Sequence, residues 1–501
     1  MRLFISSSLA LLTLAGVSAA LEAGNHTDAA SPPNLNYIST CKAIEHEVSG
    51  VYYFGHPLYF KGNSHWASSS DQSSACVVEP ANANDVSTII KIIGKTSTAF
   101  GLRSGGHTSN PEFSSTPGVQ IALFKFNQIV YHPAPLAEDG SVGTVEFGSG
   151  LTWDEVYAAL EVHQVTAVGV RCSGVGVAGS ILGGGYSFLT NQYGLAIDSV
   201  VEYEIVLPNG TITTVTETHN SDLFFGLKGG FNNFGIVTKF TVSAYPQNKV
   251  WGGAQIFGQA QVQAVNRATL DFAARVKDPK ASILSSIFTG PVNGIQNTGV
   301  SLLLFYDGPT PPAGIFENFT SIPHIYSDVS TRSMASLVKS NPSNSTYGLR
   351  GTFNTVALKA YTPALIEKIQ SQITYNEASY GQLWSEKMLT HEGVLISFSL
   401  MPFLPSMTKR NKGGAYPHDN FLIPLNLDWT WIGEESAQAI MDQAIAEGQD
   451  ISGSKQIKYP NYSPADEDLK SMYGSNLDKL RAVRREYDPN NVMSLTGGYR
   501  F

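Results

Sequence analysis

Two glycine-rich stretches decide the fold of this chain: Gly101-Leu-Arg-Ser-Gly-Gly-His107 and Arg171-Cys-Ser-Gly-Val-Gly-Val-Ala-Gly-Ser-Ile-Leu-Gly-Gly-Gly-Tyr186. The second is followed closely by Tyr193-Gly-Leu-Ala-Ile-Asp198. Glycines this close together leave backbone N–H groups unshielded by Cβ atoms, so the chain can pass close to a large ligand that carries phosphate. The stretches therefore predict a binding site for a flat, anionic molecule.

The spacing of Gly174, Gly176 and Gly179 matches the dinucleotide-binding fingerprint, and Asp198 follows after about 20 residues, where a ribose-binding acid is expected. A Rossmann site, however, needs a helix that begins at the last glycines and places the pyrophosphate at its N-terminus. Three more glycines follow at 183–185, and each glycine inside a helix costs roughly 1 kcal/mol relative to alanine. The sequence therefore disfavours a Rossmann fold.

Taken together, the glycine-rich stretches and three later motifs resemble flavoproteins of the berberine bridge enzyme group, in the vanillyl-alcohol oxidase superfamily, whose members hold FAD covalently. Arg103-Ser-Gly-Gly-His107 resembles their histidyl attachment motif, and Cys172 lies where bicovalent members carry a second, cysteinyl link. The other motifs are a flavin-contacting segment and two parts of a C-terminal signature: Leu223-Phe-Phe-Gly-Leu-Lys-Gly-Gly-Phe-Asn-Asn-Phe-Gly-Ile-Val-Thr238, Tyr459-Pro-Asn-Tyr462 and Asp488-Pro-Asn-Asn-Val492.

The resemblance implies an α+β fold: a two-part FAD-binding domain of the PCMH type and a substrate domain made of an antiparallel sheet backed by helices. A chain of 501 residues with 42% apolar and 15% charged residues also exceeds the usual size of one domain. The expected divisions are a signal peptide at 1–19, an N-terminal segment at 20–71, the FAD-binding domain at 72–246, the substrate domain at 247–454 and a C-terminal segment at 455–501 that returns to the FAD domain.

Charge and the N-terminus limit the partners and the location. The net charge of -9 is spread along the chain, and no basic run is interleaved with aromatic residues, which disfavours nucleic acid as a partner. Arg2, the apolar run Leu9 to Val17 and the small residues up to Ala19 predict a secretory signal, hence a secreted protein. A membrane anchor is the alternative, but the run is shorter than the ~20 residues that a span needs.

Three cysteines leave one unpaired in a secreted protein. Cys41 and Cys76 flank one N-terminal segment and can close it as a disulfide, which suits an oxidising compartment. Cys172 is then left over, and it is either a buried small hydrophobe or, from its place in the family motif, a flavin attachment site. The sequon at Asn461 falls inside the C-terminal motif and is expected to be buried, whereas the other sequons predict a glycosylated surface: Asn25, Asn209, Asn318 and Asn344.

Local patterns predict the elements of the FAD domain. Asn84-Asp85 is expected to cap a helix with an apolar face, and Thr152 with Glu155 forms a capping box that starts a helix through Leu160. Asn209-Gly210 predicts a hairpin turn. The expected strands and helices of both domains are Cys76–Pro80, Val119–Val130, Thr144–Phe147, Val201–Leu207, Thr211–Val215, Asp222–Leu227 and Gly235–Val242, and, after a boundary at Tyr245-Pro246, Ser301–Tyr306, Pro363–Tyr375, Val394–Ser399 and Ser436–Ala446.

The resemblance assigns cofactor-binding residues one by one. FAD attached at His107 needs an imidazole nitrogen that reaches the 8α-methyl carbon on a turn with little steric bulk, which Gly105-Gly106 provides. Val175 resembles the oxygen-permitting residue of oxidases, although it can also be an ordinary packing residue. No metal site is expected. The complete set of expected cofactor-binding residues is Arg103, Ser104, Gly105, Gly106, His107, Cys172, Val175, Gly176, Gly179, Ser180, Gly184, Gly185, Gly235, Ile236, Val237 and Asn461.

Hydride transfer from a hydroxyl-bearing carbon needs a base, and four residues are candidates. Tyr462 is the first choice and Tyr459 the second, because relatives place a tyrosine in this segment. If the segment is extended, the two side chains point to opposite faces and only one faces the pocket. Tyr186 is similar to another active-site tyrosine, and Asp428 is the best carboxylate. No aspartate partner for a tyrosine is visible in the strand at 397–402.

Two departures leave the substrate open. Ser109 stands where carbohydrate- and lignol-oxidising relatives have a tyrosine, and Ser180 stands where the berberine bridge enzyme has a flavin-contacting histidine. The sequence therefore predicts a secreted FAD-dependent oxidase that acts on an alcohol or secondary metabolite and reduces dioxygen to hydrogen peroxide. The alternatives are a carbohydrate (oligosaccharide) oxidase and a flavin-binding glycoprotein without catalytic turnover.

Overall fold

The computed structural model describes residues 35–292, 295–341, 346–370 with 373, 393–431 and 456–501. Several predicted features lie outside these residues: the signal peptide, the sequons at Asn25 and Asn344, the helix at Ser436–Ala446 and the boundary at 454. Of the predicted helix Pro363–Tyr375, residues 363–370 and 373 are described and are helical.

The first sheet has four strands in the order β1-β2-β4-β3. They are Val51–Tyr52 (β1), Cys76–Val78 (β2), Phe100–Arg103 (β3) and Val119–Ala122 (β4), of which β2, β3 and β4 run parallel. Helices Ile38–Glu47, Pro57–Asn63 and Ala83–Thr96 accompany it. A disulfide joins Cys41 in the first helix to Cys76 at the start of β2, which confirms the predicted pair.

The helix Ala83–Thr96 begins earlier than predicted. Its N-cap is Asn82, whose side chain accepts hydrogen bonds from the backbone of Asn84 and Asp85, so the predicted cap at Asn84-Asp85 is wrong by two residues. An asparagine oxygen satisfies two of the four N–H groups that a helix start leaves unpaired. The apolar face is buried as expected, at Val86, Ile89, Ile90 and Ile93.

The second sheet has five antiparallel strands in the order β5-β6-β10-β8-β9. They are Ile129–Pro133 (β5), Gly143–Gly148 (β6), Val200–Val206 (β8), Ile212–Thr216 (β9) and Ile236–Ser243 (β10); Val165–Thr166 (β7) pairs separately with Tyr245–Pro246 (β11). The capping box at Thr152 and the β8–β9 hairpin are both present, and Gly210 supplies the positive φ of +82° that the turn needs. Helices here are Trp153–Glu161, Val177–Leu182, Thr190–Tyr193 and Ser221–Leu227.

The third sheet is antiparallel and has eight strands, in the order β15-β12-β14-β13-β18-β19-β17 with β16 beside β12. They are Val250–Gly258 (β12), Ala281–Val292 (β13), Ile295–Tyr306 (β14), Tyr326–Ser327 (β15), Ser330–Arg332 (β16), Arg350–Leu358 (β17), Gly393–Leu400 (β18) and Ile423–Trp431 (β19). The helices of this part include Val262–Arg275, Glu317–Thr320 and Met334–Lys339. Both predicted strands, Ser301–Tyr306 and Val394–Ser399, lie inside β14 and β18.

The C-terminal segment returns to the first sheet. Thr496 forms a bridge with Phe100 of β3, and the Asn110 side chain donates to the backbone carbonyl of Ser463 at 3.0 Å. The Asp488 carboxylate accepts from the backbone of Val492 and Met493, which closes the turn of the last motif. Helices Leu469–Tyr473 and Leu477–Tyr487 lie between these contacts. The segment thereby brings residues 459–463 beside the glycine-rich stretches.

Candidate active site

A cavity of about 480 Å³ lies between the glycine-rich stretches and one face of the third sheet. One wall is formed by residues 104–109 and 171–186, and the opposite wall by side chains of β13, β17, β18 and β19. Residues 459–463 of the returning segment close one side. Both glycine-rich stretches, the flavin-contacting segment 223–238 and the motif at 459–462 therefore meet at one cavity, whereas the motif at 488–492 does not line it.

The two glycine-rich stretches touch backbone to backbone. A Cβ atom at Gly105 would clash with the backbone nitrogen of Gly176, and a Cβ atom at Gly176 would clash with the backbone nitrogen of Gly105. Ser104 fixes the same turn by donating its hydroxyl to the Ser149 carbonyl at 2.6 Å. Gly179 is different, because a Cβ atom there would meet nothing within 4 Å. Glycine is thus required for packing at 105 and 176, and it keeps space free at 179.

His107 faces the cavity from this wall. Its ring stacks on Trp66, with centroids 4.6 Å apart, and its Nε2 atom is buried without a hydrogen-bond partner among the described residues. Burial lowers the pKa of His107 to about 4, so the imidazole is neutral at pH 7 and keeps a nitrogen lone pair. A neutral imidazole is the nucleophilic form that attachment to a flavin requires.

Cys172 lines the same wall and forms no disulfide. Burial raises the pKa of its thiol to about 11, against a lowering effect of the neighbouring Arg171. The thiol is therefore protonated at neutral pH and must lose its proton before it can act as a nucleophile.

Most of the expected cofactor-binding residues line the cavity, but three do not. The Arg103 guanidinium donates to the Ser64 carbonyl at 2.7 Å and lies over the Phe124 ring, so it supports the loop from behind. Gly184 and Gly185 lie against Tyr459, whose hydroxyl accepts the Gly185 N–H at 2.8 Å. The residues that do line it are Ser104, Gly105, Gly106, His107, Cys172, Val175, Gly176, Gly179, Ser180, Gly235, Ile236, Val237 and Asn461.

Ser180 and Asn461 connect the walls by hydrogen bonds. The Ser180 hydroxyl accepts from the Trp153 indole at 2.7 Å and donates to backbone carbonyls of its own helix. The Asn461 amide donates to the Ser180 carbonyl at 3.0 Å and to the Tyr459 hydroxyl at 2.9 Å. Asn461 is half-buried, not buried as predicted, because it lies at the cavity edge.

The sheet wall places polar side chains in register. Ser397 of β18 and Phe353 of β17 both pair with Asp428 of β19, one from each side. Asp428 Oδ1 is buried and has no hydrogen-bond partner among the described residues, and burial raises the pKa of this carboxyl to about 7. Asp428, the carboxylate that the sequence predicted, thus lines the cavity from the strand next to the one that contains Ser397.

A second polar row crosses the same face. Ser399 of β18 lies opposite Ser286 of β13, and their hydroxyl oxygens are 2.7 Å apart. On its other side Ser399 pairs with Asn426 of β19, whose Oδ1 is buried and without a partner among the described residues. The wall that faces the flavin-binding stretches therefore offers unmet hydrogen-bond acceptors.

The tyrosines of the returning segment do not face opposite sides. Pro460–Tyr462 forms a 3₁₀ turn, not an extended strand, and the Tyr459 and Tyr462 rings meet edge to face at 4.8 Å. Both residues line the cavity, so the prediction that only one of them faces it is wrong. Proline at the first position of the turn favours the helical backbone that brings the rings together. Tyr186 lines the cavity as well and packs on Tyr459, with centroids 4.5 Å apart.

The hydroxyl groups of these tyrosines are not ionised at neutral pH. Burial raises the pKa of Tyr186, Tyr459 and Tyr462 above 10. Arg171 acts against this shift at Tyr462, because its Nη2 donates to the Tyr462 hydroxyl at 3.0 Å. Tyr462 is therefore a phenol held beside a cation, and the carboxyl of Asp428, with a pKa of about 7, is better matched to proton transfer at neutral pH than the tyrosines.

Several cavity residues were not predicted from the sequence. Trp66 comes from the N-terminal segment, with no motif around it. Phe353, Ser399 and Asn426 lie on strands whose pairing the sequence did not specify. Arg171 had a visible signal, because it is a charged residue at the start of an uncharged glycine-rich run.

Comparison with known proteins identifies the family. Residues 74–216 match the family described as FAD binding domain, and residues 458–496 match the family described as berberine and berberine like. An uncharacterized FAD-linked oxidoreductase of Arthroderma benhamiae is 33% identical over 452 residues, which cover 85% of this chain and 87% of the relative. This chain belongs to the berberine bridge enzyme-like FAD-linked oxidoreductases.

Other relatives of this oxidoreductase differ in the activity that their names give. A protein of Aspergillus calidoustus named FAD-dependent monooxygenase is 30% identical over 482 residues, covering 92% of this chain and 90% of the relative. The solved structure of BBE-like 1 from Physcomitrella patens has a TM-score of 0.71 at 19% identity and covers 90% of this chain and 97% of that chain. Chitooligosaccharide oxidase has a TM-score of 0.67, also at 19% identity, with coverage of 91% and 97%. These structures confirm the expected α+β fold.

FAD fits the cavity of this oxidoreductase. Gly105 and Gly176 line it without side chains, Gly179 leaves space for a ligand, and His107 carries a nitrogen that has no hydrogen-bond partner among the described residues. The enzyme is a flavoprotein. Among the described helices none is long and apolar enough to cross a bilayer. The described residues contain no group of three or more His, Cys, Asp or Glu that could hold a metal ion.

Proposed function

We propose that this oxidoreductase is a secreted oxidase that removes hydride from the hydroxyl-bearing carbon of a small molecule and uses dioxygen as electron acceptor. FAD held by the glycine-rich stretches would supply the hydride acceptor, and dioxygen would take up the two electrons together with two protons and leave as hydrogen peroxide. The observation that carries the proposal is that the Asp428 carboxyl lies in the same cavity as the flavin-binding stretches, with no hydrogen-bond partner for Oδ1 among the described residues.

Asp428 takes the hydroxyl proton. A general base works best when its pKa lies near the working pH, and the pKa of Asp428 is about 7 because of burial. Tyr462, the first choice from the sequence, is less suitable because burial raises the pKa of its phenol and it is protonated at neutral pH. We assign Tyr462 the task of donating its proton in a hydrogen bond to the substrate, with Arg171 holding its oxygen in place.

The same proposal covers the attachment and reoxidation of FAD. His107 and Cys172 are the proposed covalent links, since both line the cavity on the flavin-binding wall. If flavin stays on the denatured chain after acid precipitation, covalent attachment is supported. The variant His107→Ala should keep one covalent link or none. Complete extraction of flavin from the unmodified protein would disprove both. Val175 also lines this wall, and we propose that it leaves space for dioxygen beside the flavin.

Secretion follows from the predicted signal at 1–19 and suits the Cys41–Cys76 disulfide. The mature protein should begin at Ala20 or Leu21 in the culture medium. N-terminal sequencing that finds Met1 on protein retained in cells would contradict this part of the proposal.

The deciding experiment is a turnover assay on a panel of alcohols and oligosaccharides, with peroxide and oxygen uptake measured together and ¹⁸O₂ as the oxygen source. An oxidase forms one peroxide per oxygen consumed and leaves no ¹⁸O in the product. Incorporation of ¹⁸O would instead favour the monooxygenase activity that relatives are named for. An oligosaccharide substrate is the second candidate, because the row Ser286, Ser399 and Asn426 offers hydrogen bonds to several hydroxyl groups. No turnover with any compound would favour the non-catalytic alternative.

A further inference from the structure

Arg171 brings a buried positive charge to the cavity. Only 6% of its surface is exposed. Its Nη2 contacts the Tyr462 hydroxyl at 3.0 Å and the Met401 sulfur at 3.2 Å, and the guanidinium lies 5.8 Å from the Phe403 ring centre. A phenol, a thioether and a phenyl ring are all uncharged. Nη1 is buried, with no hydrogen-bond partner among the described residues.

A buried guanidinium is normally paired with a carboxylate, because removal of its hydration shell is costly and nearby negative charge offsets that cost. Within the part of the chain that the structure describes, no carboxylate forms an ion pair with Arg171. Since Arg171 lines the cavity, the ligand is the group that can provide the negative charge. We infer that the substrate carries an acidic oxygen, as a carboxylate or an ionised phenol, that binds against Arg171. This inference rests on the proposed function, since it specifies the substrate of the same site.

The position of Arg171 separates this charge from the flavin phosphates. Its partners Met401 and Phe403 directly follow β18, so the guanidinium lies against the substrate domain. FAD phosphates belong instead with the backbone N–H groups of the glycine-rich stretches. The anion that Arg171 accepts is therefore part of the substrate.

The two ends of the substrate wall differ in charge. Ser397 of β18, beside Asp428, and Met401, which follows the end of β18 and lies beside Arg171, are four residues apart, which is about 13 Å along an extended chain at roughly 3.3 Å per residue. The Tyr462 ring, whose hydroxyl touches Arg171, also packs near Phe353, the strand neighbour of Asp428. A substrate with its acidic oxygen at one end and its reacting C–OH group at the other spans this distance. Arg171 then selects the substrate and sets which carbon lies near the base.

Binding of two probes of equal shape tests the inference without turnover. Benzoate and benzamide are titrated separately into the oxidised holoenzyme, and the change in flavin absorbance gives each Kd. We expect benzoate to bind at least 10-fold more tightly than benzamide, and Arg171→Gln to bring the two Kd values within about 2-fold of each other. Arg171→Lys keeps the charge and should keep part of the preference. If Arg171→Gln does not fold, the comparison of benzoate and benzamide binding is made with Arg171→Lys instead.

Arg267→Gln is the matched control, because Arg267 is exposed on the helix Val262–Arg275, and it should keep the full preference for benzoate. Equal affinities for the two probes in the unmodified enzyme, or a preference that survives Arg171→Gln, would overturn the inference. The titration uses no substrate oxidation, so its failure leaves the oxidase proposal standing. Failure of the peroxide assay leaves the titration valid.

Discussion

The two walls of the cavity are built in different ways. The cofactor wall is two short runs of chain, 101–107 and 171–186, that touch through backbone atoms because Gly105 and Gly176 lack side chains. The substrate wall is a set of side chains from β13, β17, β18 and β19, spread over residues 281–431. A side chain added at Gly105 or Gly176 on the cofactor wall therefore forces the backbone to move. A change on the substrate wall alters chemistry and leaves the fold in place.

Gly176→Ala should have the largest effect, because it breaks the contact between the two runs. The new Cβ atom would overlap the backbone of Gly105, which cannot move aside as a flexible side chain can. We expect purified protein with little or no flavin and a lower melting temperature. The ratio of flavin to protein absorbance measures the first, and a thermal melt followed by circular dichroism measures the second.

Gly179→Ala is the control within the same run. Its Cβ atom would meet no protein atom within 4 Å. The flavin-free variant should therefore have the same melting temperature as the flavin-free unmodified protein. Any loss of flavin in this variant then comes from overlap between the new methyl group and the bound FAD. If Gly176→Ala retained full flavin and stability, the backbone contact would not be what holds this wall together.

The cofactor wall was predictable because its residues are contiguous and their requirement is steric. His107, Cys172 and the predicted glycines other than Gly184 and Gly185 could be placed at the cavity from motifs alone, and the disulfide pair was also correct. The α+β fold with its antiparallel third sheet followed from the resemblance. Arg103 shows the limit of a motif: it is part of the pattern, but its side chain turns away from the cavity to the Ser64 carbonyl.

The substrate wall could be predicted only in part, because strand register decides which side chains meet. Asp428 was recognised as a candidate, but its pairing with Phe353 and Ser397 depends on contacts between segments far apart in sequence. The orientation of Tyr459 and Tyr462 was wrong because Pro460 starts a 3₁₀ turn and the segment does not extend. Side-chain alternation holds only for a strand.

Asp428→Asn, a change on the substrate wall, should have the next largest effect. Removal of a general base typically slows the chemical step 10²–10⁴-fold, so anaerobic reduction of the flavin should slow by that factor at pH 8. The unmodified enzyme should lose rate as the pH falls through about 7, because Asp428 accepts a proton only when it is ionised. This loss of rate below about pH 7, the acidic limb of the pH profile, should be absent in the variant. Stopped-flow absorbance across pH 5 to 9 measures both.

Flavin content should be unchanged in Asp428→Asn, in contrast to Gly176→Ala, and the melting temperature should not fall, because burial already disfavours the ionised carboxylate that the amide replaces. Tyr462→Phe is the matched comparison, since it removes only a hydroxyl on the same cavity. It should weaken substrate binding and keep the acidic limb. If Tyr462→Phe gave the 10²-fold loss and Asp428→Asn did not, Tyr462 would be the base, as the sequence first suggested.

The smallest expected effect concerns the hydroxyl pair Ser286 and Ser399, which tests whether the substrate wall binds ligand or only supports the sheet. Their oxygens lie 2.7 Å apart across β13 and β18, and both residues line the cavity. A hydrogen bond of this kind contributes about 1 kcal/mol, so a double-mutant cycle with Ser286→Ala and Ser399→Ala should give a coupling near that value in unfolding free energy. If the pair also binds substrate, each variant should raise KM up to about 5-fold, which is the same free energy, with kcat and flavin content unchanged. Coupling in stability with no change in KM would make the pair a support of the sheet and remove the observation that favours an oligosaccharide substrate.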